Sequence, residues 1–110
     1  NSLRNLRVAK KYNIQITRSA ENDLDEIWNN IASDNRNNAI NFVNQIEERI
    51  YSLALFPKRE PLIPENEIIG GEYRHLIHGE YRVIYKVLHN DVFVMRIIHG
   101  SRLLKKEMIE

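Results

Sequence analysis

The stretch GEYRHLIHGEYRVIYKVLHNDVFVMRIIHGSR, residues 71–102, decides the fold. It contains apolar runs rich in β-branched and aromatic residues, which is typical of β-strands. The tripeptides HGE and HND separate these runs, and connections this short force neighbouring strands into antiparallel hairpins. The stretch therefore predicts a three-stranded antiparallel meander, with strands at residues 73–77, 81–88 and 92–99.

The residues upstream of the meander predict one more strand and two helices. Residues 12–17, YNIQIT, alternate apolar and polar side chains as a half-buried strand does. The apolar spacing then changes to three and four, which indicates an amphipathic helix with Thr17 or Ser19 as its N-cap. After the polar turn SDNRNN, residues 35–56 continue as a second amphipathic helix. A short connection between two helices predicts an antiparallel hairpin.

Three prolines end the second helix and make the next segment a connector. Pro57, Pro61 and Pro64 cannot continue a helix, so residues 57–72 are expected to be irregular and to lead into the meander. The predicted fold is α+β: an N-terminal strand, a two-helix hairpin and a three-stranded meander, forming one sheet packed on the helices. Residues 12–110 would form a single domain, preceded by a flexible, basic extension at residues 1–11.

Composition and charge narrow the class of protein. A chain of 110 residues supports about one core, and the absence of cysteine excludes a disulfide framework. Residues 1–11 lack the apolar stretch that a signal peptide needs, and no later run approaches membrane-spanning length, so we expect a soluble, cytoplasmic protein without a membrane partner. Residues 1–11 carry four positive charges and residues 73–110 a net +3, whereas residues 18–34 carry a net −4. This asymmetry could orient binding to a polyanion or an acidic protein, or it could be solvated charge with no partner.

Both faces of the last two predicted strands are apolar. The helical hairpin can cover one face, but a small domain has little left to cover the other. We therefore expect the second face to be partly open to a partner polypeptide. The alternative is that the apolar residues of the C-terminal tail cover this face within the monomer; they are Leu103, Leu104, Met108 and Ile109.

Residue types alone give a weak prediction of chemistry. No phosphate-binding loop, metal-ligand motif or nucleophile elbow is present, so we expect no metal, cofactor or small-molecule substrate. Metal-independent RNA cleavage needs a base, an acid and cationic stabilisation of the phosphorus centre. Arg74, Arg82 and Arg102 could form one cationic patch. His75 or His99 would then be the base, with Tyr73 or Tyr81 nearby, although a lone strand histidine is more often structural.

The order of these elements resembles the ParE/RelE superfamily of toxins from type II toxin–antitoxin modules. The resemblance lies in the segments TRSAENDLDEIWNNI, LALFP, GEYRHLIHGEYRVIYKV and VFVMRIIHGSR, and it extends from Tyr12 to Arg102. It implies a small cytoplasmic toxin from a plasmid-stabilisation module. It also implies a cognate antitoxin whose C-terminal segment wraps the toxin and covers its functional face.

Two mechanisms exist within this superfamily, and an inactive relative that only binds its antitoxin is a third possibility. RelE-like members cleave messenger RNA on the ribosome. By resemblance, Arg82 and Arg102 match two of their functional arginines, and Arg74 falls where they have a lysine. Leu76 and Met108 replace a second lysine and a tyrosine, so the nuclease site is incomplete.

ParE-like members poison DNA gyrase instead, and the long helices, the LFP break and the IIHGSR ending favour this branch. Only if the chain is a nuclease would Arg82, Arg102 and His99 be catalytic. The predicted binding residues are Arg74, His75, Tyr81, Arg82, Arg96 and Arg102.

Overall fold

The computed structural model describes residues 10–110 and shows an α+β fold with one four-stranded sheet. Strand order is β1-β4-β3-β2; β1 is parallel to β4, and the other neighbours are antiparallel. The predicted strand, helical hairpin and meander are all present. The elements are β1 Asn13–Ile16, α1 Arg18–Ala32, α2 Arg36–Ser52, α3 Asn66–Ile69, β2 Arg74–His78, β3 Tyr81–Leu88 and β4 Asp91–His99.

The predicted flexible extension falls mainly on residues outside the described part of the chain. Of residues 1–11, only Lys10 and Lys11 are described; both are exposed and neither lies in a helix or strand. Flexibility of the extension therefore stays a prediction. Among residues 10–110, none of the helices combines the length and hydropathy needed to cross a bilayer.

The helical hairpin forms largely where the sequence predicts it. Thr17 caps α1, its hydroxyl accepting a hydrogen bond from the Ala20 amide at 3.2 Å, and Asn35 caps α2 in the same way. However, α2 ends at Ser52, before the predicted end at residue 56. Proline disfavours helical backbone in the residue before it. Phe56, which precedes Pro57, is accordingly not in right-handed helix; its φ is 55°, in the left-handed region, which the proline does not by itself require.

The hairpin buries its apolar stripe against one face of the sheet. Burying these side chains removes apolar surface from water, which is the main force that holds helix and sheet together. The Tyr85 ring lies in this core, and its hydroxyl donates to the Pro57 carbonyl. The buried members of the cluster are Ala20, Leu24, Ile27, Ile46, Ile50, Leu53, Leu76, Val83, Tyr85, Val92, Val94 and Ile97.

The second face of the sheet, which was expected to be partly open, is covered in part within the monomer. Ile84 and Ile98 of the sheet pack against Ile63 of the connector and Leu104 of the tail, and all four are at least 97% buried. The tail thus takes the covering role that was considered as the alternative. Some large apolar side chains around this face stay exposed, among them Ile77, Leu103 and Ile68.

The connector is more ordered than predicted. It contains a short helical turn, α3, and a 3₁₀ turn at Pro57–Arg59. Its backbone also lies along the outer edge of β2, where the Ile63 amide donates to the Tyr73 carbonyl and the His75 amide to the Pro61 carbonyl. A four-residue helix is too short to produce apolar periodicity, so sequence patterning could not reveal α3.

Residues at the start of α1 form hydrogen bonds with the backbone of β4 where that strand extends beyond β1. The Thr17 amide donates to the Val94 carbonyl at 3.1 Å, and the Thr17 hydroxyl donates to the Met95 carbonyl at 3.0 Å. Further along, the Ile97 amide donates to the Asp23 carboxylate at 2.8 Å. The helical layer therefore continues the hydrogen bonding that the short strand β1 leaves unfinished.

Candidate functional site

Arg82 of β3 forms a buried ion pair with Glu65 of the connector. Arg82 Nη1 lies 3.2 Å from Glu65 Oε1, and Arg82 Nη2 donates to Glu65 Oε2. The two residues are only 5% and 3% exposed. Arginine almost never lies this deep without a partner, so a carboxylate in the connector is what allows it to be there.

The same ion pair holds the C-terminal tail on the sheet. Arg82 Nη2 also donates to the Arg102 carbonyl at 2.8 Å, and the Leu104 amide donates to Glu65 Oε2 at 2.9 Å. These contacts fix the backbone of residues 102–104 while the Arg102 side chain stays exposed. The tail, the connector and β3 meet at this one polar cluster.

Glu65 stays charged because Arg82 stabilises its carboxylate. Hydrogen bonding from Arg82 lowers the pKa of Glu65 to about 2, although burial alone would raise it. Arg82 has little donor capacity left for a ligand, since both Nη atoms are engaged. Its Nε is buried and has no partner within residues 10–110.

His75 lies beside this pair on the second face. Its Nδ1 is 3.3 Å from Arg82 Nη1, and because a guanidinium can only donate, Nδ1 is the acceptor. Burial, with a further contribution from the positive charge of Arg82, lowers the pKa of His75 below its ordinary value. The imidazole is therefore neutral at neutral pH and its Nε2 carries the proton.

A shallow groove of about 290 Å³ lies over this cluster. It brings together three of the predicted site residues, His75, Arg82 and Arg102. Of these three, only Arg102 has an exposed side chain, so it is the cation that a macromolecule could reach. The groove is lined by Pro64, Glu65, His75, Ile77, Arg82, Gly100, Ser101, Arg102 and Leu103.

Arg74 and Arg96 do not join the groove. Arg74 pairs with Tyr85 in the sheet, and its side chain donates to the carbonyls of Lys58 at 3.1 Å and Glu60 at 2.6 Å. It therefore anchors the connector. Arg96 lies at the β4 edge, away from the groove.

Arg96 links α1 to the end of the tail. It makes a bidentate pair with Asp23, with nitrogen–oxygen distances of 2.8 and 2.9 Å, and it donates to the Met108 carbonyl at 3.1 Å. Its hydrogen bonds to the Asp23 carboxylate raise the pKa of Arg96 above its ordinary value. This geometry makes Arg96 a structural link.

Tyr81 and His99 lie on the face of the sheet opposite Arg82. They are paired in register, with ring centroids 5.7 Å apart, and Tyr81 packs edge-on against Phe42 of α2. The residue opposite Arg82 is Ile98, so His99, its neighbour in the strand, faces the helical side. His99 Nδ1 is 2.7 Å from the Ser101 hydroxyl. The structure does not bring His99 together with Arg82.

Sequence reasoning missed the two carboxylates that position these arginines, Glu65 and Asp23. A signal for Glu65 was available: Arg82 occupies an inward position among apolar neighbours, and such an arginine needs a buried acid. No comparable signal distinguishes Asp23 from the other acids of α1. Within residues 10–110, the structure shows no group of three or more metal-ligating side chains that could hold a metal ion.

Comparisons with known proteins agree with this architecture. A family model described as the ParE toxin of the type II toxin–antitoxin system parDE matches residues 14–104. No curated protein sequence matches the chain. The fold is similar to that of a chain from the chromosomal ParDE toxin–antitoxin system of P. aeruginosa, with a TM-score of 0.66 and 20% identity over 83% of this chain and 98% of that one.

A second solved structure with a similar fold is the RelBE2 toxin–antitoxin complex of Mycobacterium tuberculosis. Its TM-score is 0.58, with 22% identity over 84% of this chain and 94% of the matched chain. At these identities the two structures show a shared fold and no more. The family match rests on the sequence itself and spans most of the domain.

Proposed function

Because the chain belongs to the family of ParE toxins of type II toxin–antitoxin systems, we propose that it arrests growth by poisoning DNA gyrase. In this proposal the toxin acts in the cytoplasm as a binding protein that stabilises the complex of gyrase with cleaved DNA. A cognate antitoxin neutralises it. The nuclease function of RelE-like relatives is the competing candidate.

The burial of Arg82 beneath Glu65 is the observation that supports the gyrase proposal. A nuclease of this fold needs a cation that can reach the scissile phosphate. Arg82 is 5% exposed and its charge is already neutralised by Glu65, while His99 lies on the other face. Metal-independent cleavage requires its catalytic groups to lie together in one place. The candidate catalytic residues Arg82, Arg102 and His99 do not meet this requirement.

Arg102 is the residue we expect to carry target recognition. Its side chain is exposed, while its backbone is held by Arg82, so a change there removes a surface charge without removing a packing contact. We expect Arg102→Gln to weaken gyrase poisoning about tenfold, within the range of a lost charged contact at an interface. Arg18→Gln is the matched control, because Arg18 is also exposed but lies at the start of α1.

Supercoiling and cleavage-complex assays with purified gyrase test the proposal. We expect inhibited supercoiling and accumulation of cleaved DNA, with both effects reduced in Arg102→Gln and retained in Arg18→Gln. Unchanged supercoiling and cleavage at saturating toxin would rule out gyrase as the target. In cells, induction should give a DNA-damage response with filamentation before translation slows.

His75 is the observation that favours the competing function, ribosome-dependent cleavage of messenger RNA. A neutral imidazole lies in the groove near the exposed Arg102 side chain, and it would act as a general base once its Nδ1 is released from Arg82. This function predicts cuts at defined codon positions in ribosome-bound message. The cuts should disappear in both His75→Ala and Arg102→Ala, and translation should stop at once on induction.

The antitoxin is proposed to cover the exposed apolar residues beside the groove. Ile77 is 49% exposed and Leu103 57% exposed, next to the basic side chain of Arg102. Both structural relatives come from toxin–antitoxin systems, which supports this partner class. Co-expression of the antitoxin should restore growth, and Ile77→Glu should weaken the rescue. Leu88→Glu, at an equally exposed strand position on β3, should leave rescue intact.

A further inference from the structure

A second groove lies where the chain leaves α2 and where β1 begins. It encloses about 360 Å³ and has a mostly apolar wall. None of its residues belongs to the groove over Arg82 and Glu65. We refer to it as the Phe56 groove, which is lined by Lys10, Tyr12, Phe56, Pro57, Lys58 and Arg59.

Phe56 is held at the surface by an unusual backbone. Its φ of 55° is in the left-handed region, where a bulky residue other than glycine is rarely found. Phe56 is nevertheless 57% exposed, so packing in the core does not account for the conformation. A residue held in this way, with its side chain towards solvent, is a candidate for binding.

The aromatic rings of the groove are accompanied by cations. The Lys10 ammonium lies 4.8 Å from the centroid of the Tyr12 ring, and the Arg59 guanidinium lies 5.1 Å from the centroid of the Phe56 ring. Both cations are exposed, as is Lys58. Within residues 10–12 and 56–60 there are four positive charges, with Lys11 as the fourth, and one acid, Glu60.

We propose that the Phe56 groove binds single-stranded nucleic acid. Exposed aromatic faces interleaved with lysine and arginine are the arrangement that binds unpaired bases and their phosphates together. Phe56, backed by the Arg59 guanidinium, would stack on one base, while Lys10 and Lys58 contact the flanking phosphates. The clear excess of positive charge matches a polyanion. The site lies apart from the groove that contains Arg102 and does not depend on gyrase being the target.

The ligand class follows from the combination of features, since each feature alone is less specific. A purely basic surface would bind duplex and single strands alike through their phosphates. An exposed ring adds a contact that only an unstacked base can use. An acidic peptide would satisfy the charges, but it has no planar face to stack on the ring. We therefore assign the groove to single strands and treat an acidic peptide as the rival outcome.

The test measures binding of the full chain to a fluorescent oligonucleotide of about 12 thymidines by anisotropy at low salt. We expect Lys58→Gln combined with Arg59→Gln to weaken binding by roughly tenfold or more. The slope of log binding constant against log salt concentration should also become shallower by about 1.4. The matched control combines Lys105→Gln with Lys106→Gln, which removes two exposed lysines of the tail. Its affinity should stay within about twofold of the unchanged protein.

A pair of substitutions at Phe56 separates stacking from charge. Phe56→Leu should weaken binding about tenfold, and Phe56→Trp should retain it, because only tryptophan keeps an aromatic face. Circular dichroism of each variant checks that it is folded. Three results would overturn the proposal: no binding by the unchanged protein, equal loss in the tail control, or equal affinity of Phe56→Leu and Phe56→Trp. Tighter binding of a poly-glutamate peptide than of the oligonucleotide would also overturn it.

Discussion

Glu65 is the residue on which the covering of the second sheet face depends. Its carboxylate accepts hydrogen bonds from Arg82 and from the Leu104 amide, and Arg82 in turn holds the Arg102 carbonyl. Removing one member of such a buried pair leaves an uncompensated charge, which is far more costly than the net contribution of the intact pair. A single residue of the connector therefore controls how both the sheet and the tail are held.

We expect Glu65→Ala to lower the free energy of unfolding by about 3–5 kcal/mol, because it leaves the Arg82 charge buried and unpaired. Urea denaturation measures this loss. A double variant, Glu65→Leu with Arg82→Met, replaces the ion pair with apolar side chains of similar size and should recover most of the lost stability. If the double variant is as unstable as Glu65→Ala, unpaired charge is not the cause.

The stability of the protein should depend on pH through Glu65. Its pKa is about 2 in the folded protein against 4.5 ordinarily, so the folded state favours the ionised form. The contribution to stability is fully present above about pH 4.5, and it is lost as pH falls towards 2. A shift of this size corresponds to about 3 kcal/mol.

Urea titrations at several acidic pH values test this dependence against Glu65→Gln. Glutamine does not titrate, so the variant should lose this part of the slope between about pH 4.5 and pH 2, whatever its absolute stability. Other carboxylates contribute equally to both proteins and cancel in the comparison. Identical slopes in the two proteins would contradict a low pKa at Glu65.

At the residue scale, the sequence identified the arginines but not their contacts. Strand alternation placed Arg82 correctly within β3, yet it could not show that the partner is Glu65, seventeen residues away in a connector without periodicity. His75 and Arg102 were predicted to share a site with Arg82, and the structure does bring them together in one groove. Arg74 was grouped with them as well, but it reaches the connector carbonyls at Lys58 and Glu60 instead.

Thr17 shows how one side chain joins two elements. Its hydroxyl accepts from the Ala20 amide at the start of α1 and donates to the Met95 carbonyl of β4. Loss of an N-cap costs about 1 kcal/mol, and loss of the second hydrogen bond adds a similar amount. The junction therefore holds the helical layer against the sheet.

We expect Thr17→Ala to lower the free energy of unfolding by about 2 kcal/mol. Thr17→Ser keeps the hydroxyl and is the matched control, for which the loss should be under about 1 kcal/mol. Chemical denaturation of the three proteins gives the comparison. Equal losses for alanine and serine would show that the methyl group, and not the hydroxyl, matters at this position.

At the element scale, local signals predicted the long elements and missed the short ones. The stripe of apolar residues gave both helices, and the N-cap Thr17 was one of two candidates. The predicted end of the second helix was late because the apolar pattern continues through Leu55 and Phe56, both of which are exposed. The residue before a proline avoids helical backbone, and this local restriction prevailed over the apolar pattern.

The tail is part of the domain core, and this can be measured by comparing two adjacent leucines. Leu104 is 1% exposed and packs on Ile84 and Ile98, whereas Leu103 is 57% exposed. Leu104→Ala should lower the free energy of unfolding by about 3 kcal/mol, as for other buried leucines. Leu103→Ala should change it by less than about 0.5 kcal/mol. Thermal or urea unfolding distinguishes the two, and similar losses would contradict the packing described for the tail.

At the scale of the whole molecule, the sequence predicted the fold class and the succession of elements. Resemblance through segments such as GEYRHLIHGEYRVIYKV predicted the family as well, and the match over residues 14–104 confirms it. Coverage of the second face was harder, because two apolar faces can be covered by the chain itself or by a partner. The choice depended on whether Leu104 returns to the sheet, which is a long-range contact that no local pattern encodes.

The hydrogen bonds along the outer edge of β2, and along the part of β4 that extends beyond β1, have a consequence for solubility. Exposed strand edges can recruit further chains and begin fibril growth. Here the start of α1 occupies the β4 edge at Val94–Ile97, and the connector occupies the β2 edge at Tyr73 and His75. When the toxin is in excess over its antitoxin, a second copy therefore finds no unpaired strand edge at these positions. Self-assembly into cross-β aggregates is blocked there by the same segments that complete the fold.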